Sequence, residues 1–179
     1  MSIVNQLEQL HQKFAQHTLE QTSKLPLIEQ DSNWPSLCEV GEVDEQGQIQ
    51  WQAVRRDEPG SLTDLAKALD VAFPEALAHY YGSFFGGCII AKIEEHEIEL
   101  LQAWSDDDFD LLQQNITGHV LMKRKLKQQP SVFIGLTEQE DLLVTVLLDS
   151  GEVCLEYVGK KPHHVLAPNL EAFIKALNV

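Results

Sequence analysis

The chain is short of positive charge. Its 179 residues carry 13 Lys and Arg against 28 Asp and Glu, a formal net charge of −15 at pH 7. Such a surface repels nucleic-acid phosphates and anionic lipid headgroups, which argues against a nucleic-acid partner. A macromolecular partner is expected to be basic. Acidity that only keeps the protein soluble is the simpler reading of the charge alone. Cysteine is scarce as well: Cys38, Cys88 and Cys154 are odd in number, widely spaced and without a C-x-x-C pair. That argues against a zinc knuckle or a disulfide framework and fits reduced cytosolic thiols. The longest apolar run, LLVTVLL at 142–148, is far too short to cross a bilayer. The first residues, MSIVNQLEQLHQKF, lack the basic and apolar regions of a signal peptide. H-E-x-x-H, G-x-S-x-G and Walker A patterns are missing too.

What remains suits one domain over residues 1–179, with 44 % hydrophobic and 23 % charged residues. Val4, Leu7, Leu10, Phe14 and Leu19 recur at helical spacing and predict an amphipathic helix over 3–19. Its polar face is not basic, so it is expected to pack on the core rather than on lipid. Residues 22–60 are broken by Pro26, Trp34-Pro35, Gly41, Gly47 and Pro59-Gly60. Within them VDEQGQ (43–48) reads as a turn feeding a strand, IQWQAV (49–54), with Ile49, Trp51 and Ala53 on one face. Ser61-Leu-Thr-Asp64 has the form of a capping box, and Pro74 can open the next helix, PEALAHYYGSF, which Gly86-Gly87 stop.

CIIAKI (88–93) and EIELLQAW (97–104) predict a hairpin turning at Glu94, Glu95 and His96. VFIGL (132–136), LLVTVLL (142–148) and VCLEYVG (153–159) predict strands, with a tight turn at 149–151. The strand at 142–148 is apolar on both faces and is expected to be central. Asn169 is placed to cap a last helix, LEAFIKAL. Strands and helices come in blocks. The fold class is therefore α+β, a largely antiparallel sheet flanked by helices.

The stretch AWSDDDFDLLQQNITGHVLMKRKLK (103–127) has four acids at one end and four bases at the other. A helix explains most of it. Ser105 is the N-cap and Asp108 completes the box. Asp106 and Asp107 favour the positive end of the helix dipole, and the basic run 123–127 favours the negative end. Phe109, Leu112, Ile116 and Val120 form the buried stripe. Capping leaves a surplus: Asp110, and Glu94, Glu95, Glu97 and Glu99 just upstream. These acids can form one surface whose self-repulsion a basic partner would relieve; a merely solvated face is the competing reading. The spacing does not fit an EF-hand, so no dedicated metal site is expected. No nucleophile–base pair emerges from the seven histidines. His163-His164 read as loop residues, and His119 as a helix-end or core histidine.

FPEALAHYYGSFFGG (73–87) resembles the signature of the SUKH superfamily, a Pro-led aromatic helix running into Gly-Gly and a strand. The stretches 100–136, 150–159 and 164–177 resemble the Syd family within it. The likeness covers the chain from about residue 61 onward and the N-terminal helix; nothing is carried over for 22–60. It implies a SUKH-like fold and a cytoplasmic, non-enzymatic protein that needs no cofactor. It further implies peripheral docking on the cytoplasmic side of the bacterial inner membrane, through an acidic surface that contacts basic cytosolic loops of SecY in the SecYEG translocon. Monitoring of SecYEG integrity is the associated role. The candidate contacts are Asp106, Asp107, Asp108 and Asp110, then Glu94, Glu95, Glu97 and Glu99. The alternative is an immunity protein neutralising a basic toxin, as many SUKH relatives do.

Overall fold

In the computed structural model of the chain, helix α1 (Ile3–Thr22) is opened by the Ser2 hydroxyl, which accepts from the Asn5 amide at 3.4 Å. It buries Ile3, Leu7, Leu10 and His11, while Leu19 of the expected stripe is exposed. Three short strands follow: β1 (Leu27–Glu29), β2 (Glu39–Val40) and β3 (Gln48–Trp51), in the antiparallel order β1-β3-β2. The turn into β3 is the expected one: the Asp44 carboxylate accepts from the Gln46 and Gln48 amides, and Gly47 sits at φ +78°. Ile49 and Trp51 are buried as the alternation required. The strand ends at Trp51, and Val54–Arg55 form a separate strand, β4.

Helix α2 (Thr63–Leu69) corrects one expectation. Ser61 does not cap it; its hydroxyl accepts from the Thr63 amide in a local turn, and the helix starts after Leu62 without a side-chain cap. Helix α3 (Glu75–Gly82) starts one residue later than expected, with Pro74 as N-cap. It also stops earlier, because Phe84–Phe85 leave it to form β5 against β4.

The main sheet has six antiparallel strands in the order β11-β10-β9-β8-β7-β6. They are β6 (Ile89–Ile93), β7 (His96–Leu100), β8 (Ser131–Thr137), β9 (Leu142–Leu147), β10 (Val153–Tyr157) and β11 (His164–Ala167). The expected central strand is β9, buried at all six positions. β7 ends four residues short of the expected Trp104. His164 is the first residue of β11, so only His163 keeps the loop position expected of the pair. The bulge in β8 between Phe133 and Gly135 is held by α3: the Tyr80 hydroxyl donates to the Ile134 carbonyl and the Tyr81 hydroxyl to that of Phe133.

The sheet curls strongly. A flat six-stranded sheet holds its outer strands about 24 Å apart. Here Glu94, just past β6, reaches His164 on β11 at 2.9 Å. The outer edge of β6 is also occupied, since Lys92 and Asn178 exchange two backbone hydrogen bonds of 2.7 and 3.0 Å.

Helix α4 (Asp106–Lys125) packs along β8, and α5 (Leu170–Ala176) packs on α1 and α3, capped by Asn169 as expected. One cluster of 33 buried residues joins the helices to the sheet. Beside it lies a buried polar network that corrects the reading of Lys123 as a dipole partner. Lys123 is fully buried; its Nζ lies 2.9 Å from Glu156 Oε1 and donates to the Lys160 carbonyl at 2.8 Å. Ser131 and Thr145 donate to the same carboxylate, and His119 bonds to Ser131 at 2.9 Å as a core histidine. Burial raises the Glu156 pKa, but the hydrogen bonds from His119 and Lys123 and the Lys123 charge outweigh it, and the net shift is downward.

Candidate docking surface at the start of α4

α4 begins as its sequence required. The Ser105 hydroxyl accepts from the Asp108 amide at 3.2 Å, and the Asp108 carboxylate reaches back to accept from the Trp104 amide at 2.7 Å. Asp108 is thus occupied by the cap. Asp106 is occupied too: Arg56 Nη2 lies 2.8 Å from its Oδ1. The Arg56 guanidinium is fixed over the Phe85 ring at 4.3 Å and near that of Phe109 at 5.0 Å, a pair of cation–π contacts. Asp107 and Asp110 remain exposed, three residues apart on the helix and without an ion pair.

The upstream acids are not gathered into the same cluster. Glu94 and Glu95 form the two-residue turn between β6 and β7, with Glu94 at φ +51° and bound to His164. They stand at the opposite end of β7 from α4. Glu97 faces outward opposite Lys92, and Glu99 opposite Ile90, while Ile98 and Leu100 point into the core. Glu99 and Asp108 both lie near Cys88. Burial, the Glu99 charge and the Asp108 charge together push the Cys88 thiol up to about 12. The eight candidates therefore follow the chain from the β6–β7 turn through β7 to the start of α4, with Glu94, Asp106 and Asp108 already engaged and Glu97 facing a lysine.

The geometry adds residues that sequence reasoning missed. The Ser36 hydroxyl donates to the Trp104 carbonyl at 2.5 Å, and the Trp104 indole donates to the Trp34 carbonyl at 3.0 Å. These bonds pin the 34–38 loop beside the cap of α4. Between them lies a groove of about 380 Å³ lined by Pro35, Ser36, Leu37, Phe85, Ser105, Asp106 and Asp107. Leu37 is 76 % exposed, an apolar side chain with no packing partner to justify it, beside two carboxylates. The Trp34-Pro35 pair was the only sign of this in the sequence, because the segment has no periodicity. An exposed carboxylate beside an exposed apolar side chain suits a Lys- or Arg-rich peptide: Asp107 can take a charge and Leu37 a side-chain stem.

No group of three or more His, Cys, Asp and Glu is arranged to hold a metal ion. No helix is long and apolar enough to cross a membrane.

Comparison with known proteins gives a concordant result. The family model described as Syd protein (SUKH-2) matches residues 4–178. Protein Syd of Pseudoalteromonas translucida is 66 % identical over 179 residues, covering all of both chains. Protein Syd of Colwellia psychrerythraea is 39 % identical over 173 residues, 92 % of this chain and 86 % of that one. Protein Syd of Pseudoalteromonas atlantica is 36 % identical over 176 residues, 97 % of this chain and 94 % of that one. A family match across almost the whole chain, with relatives at these identities aligned end to end, places the chain in the Syd family.

Proposed function

We propose that this protein is a non-enzymatic docking factor that binds basic cytosolic loops of the SecY subunit of the SecYEG translocon. It sits peripherally on the cytoplasmic side of the inner membrane and reports on the integrity of the complex. The observation that carries this reading is the groove at the start of α4, where Asp106 and Asp107 stand beside the exposed Leu37. SecY as the partner comes from the family resemblance. The net charge of −15 supports it, because such a protein reaches an anionic membrane only through a basic protein on it.

Exposed ion pairs are worth about 0–1 kcal/mol each, so several carboxylates act together and Leu37 supplies apolar contact. Salt weakens the complex, since the screening length is about 8 Å at physiological ionic strength. The test is co-flotation of the purified protein with SecYEG-containing, empty anionic and empty neutral vesicles. Flotation is expected only with SecYEG and is lost at high salt. Asp107→Lys with Asp110→Lys abolishes it while the fold is retained. Full binding by that folded double variant would overturn the surface. Absence of flotation with SecYEG by the folded native protein would redirect the search to a soluble basic partner, such as a toxin.

A further inference from the structure

Positive charge is rare in this chain but not scattered. Six of the 13 Lys and Arg residues fall at 123–127 and 160–161. The fold brings these two segments together at the end of α4. Lys123 Nζ donates to the Lys160 carbonyl at 2.8 Å, and Gln128 Nε2 donates to the Gly159 carbonyl at 3.0 Å. A pocket of about 460 Å³ opens between them; its charged lining is Lys127, Lys161, His163 and His164, and no carboxylate lines it. Glu94 stands at its edge, bound to His164. Burial and then the charges of Glu152 and Glu156 raise the thiol pKa of Cys154, another lining residue.

The backbone marks the same place. α4 ends in a Schellman motif: the Lys127 amide bonds to the Arg124 carbonyl and the Gln128 amide to that of Lys123, both near 3 Å. The left-handed position of that motif favours glycine. Here it is Lys127, at φ +55°. A lysine held in a conformation that costs stability, at the mouth of a basic pocket, is a local choice against folding that a ligand explains.

We propose that this pocket is an anion site for a phosphate group, carried by a small phosphorylated molecule. Lys and His present point charges and single N–H donors, which suit a phosphate; no Arg lines the pocket to fork a planar carboxylate. The volume lies in the range of small-ligand pockets. The negative end of the α4 dipole opposes an anion, but the Schellman bonds occupy two of its carbonyls and the lysines exceed it in charge. The site is separate from the acidic groove: a helix of 20 residues, about 30 Å, lies between them. The whole-molecule charge disfavours a flat anionic bilayer as the source of the phosphate and favours a soluble one.

The test is titration of the native protein with inorganic pyrophosphate, read from the ring-proton NMR resonances of its histidines at constant ionic strength. Saturable shifts are expected for His163 and His164 and not for the exposed His17 or the half-buried His79, which lie on other helices. Lys127→Gly is expected to match or exceed the native melting temperature and to bind at least tenfold more weakly; Lys127→Gly with Lys161→Ser loses binding. No saturable shift at millimolar pyrophosphate, equal shifts of all exposed histidines, or unchanged affinity in the folded double variant would overturn the site. A second arm separates the sources of phosphate. Flotation of the native protein, but not of the double variant, on phosphatidylglycerol vesicles without SecYEG assigns a lipid headgroup to the same pocket. Pyrophosphate binding without flotation assigns a soluble phosphate.

Discussion

Three buried side chains decide how this protein responds to mutation and to acid. Lys123 and Glu156 are both fully buried and paired at 2.9 Å. Such a pair returns little net stability, but removing one partner leaves a charge stranded in the core. Lys123→Met is therefore expected to cost about 3–5 kcal/mol, and Lys123→Met with Glu156→Leu to recover much of that, measured by urea unfolding. His11 is the other. Its Nε2 bonds to Gln102 at 3.3 Å, its Nδ1 has no partner, and burial pushes its pKa down from 6.5 to about 4. The unfolded chain takes up a proton below pH 6.5 that the native state refuses. Stability is therefore complete above that value and falls as pH drops toward 4, by roughly 3 kcal/mol in total. Unfolding of native protein and His11→Gln at about pH 7 and about pH 4.5 checks this. The loss between the two conditions is expected to shrink in the variant. Glu156 acts in a lower window: its depressed pKa contributes stability that is lost only as pH falls through the carboxylate range.

At the scale of the element, α4 separates capping from docking. Ser105→Ala is expected to cost about 1 kcal/mol in stability and to weaken SecYEG binding far less than Asp107→Lys with Asp110→Lys, which leaves stability near the native level. Thermal unfolding and flotation on the same variants tell the two apart. The cap was legible because its chemistry is local: Ser105 and Asp108 need only a three-residue spacing. The same pattern misled at Ser61, where Leu62 opens the helix and the Ser61 hydroxyl turns to Thr63 instead. β9 was legible because burial on both faces leaves a continuous apolar run. Lys123 was not. Its neighbours Arg124, Lys125 and Lys127 are exposed, and nothing in the local sequence shows that Glu156, 33 positions on, awaits it across the sheet. The acidic strip was visible as composition, but its division into engaged and free carboxylates depends on Arg56 and His164, each distant in sequence. The 34–38 loop was silent because side-chain and backbone bonds to Trp104, not periodicity, hold it.

At the scale of the whole molecule, the charge is polarised along α4. Carboxylates crowd its start and basic residues its end, although the total is strongly negative. A basic partner therefore meets a directed field, and the orientation of docking follows from the charge distribution before any contact forms. The curled sheet has a consequence of another kind. Asn178 exchanges two backbone hydrogen bonds with Lys92 and so occupies that part of the outer edge of β6. An unpaired edge of that kind offers its amides and carbonyls to any extended chain nearby. Deleting Asn178 and Val179 is expected to leave the core folded and to produce concentration-dependent self-association in sedimentation. Val179 packs on the core, and Asn178 then acts as a seal at Lys92 that keeps neighbouring copies from adding a strand.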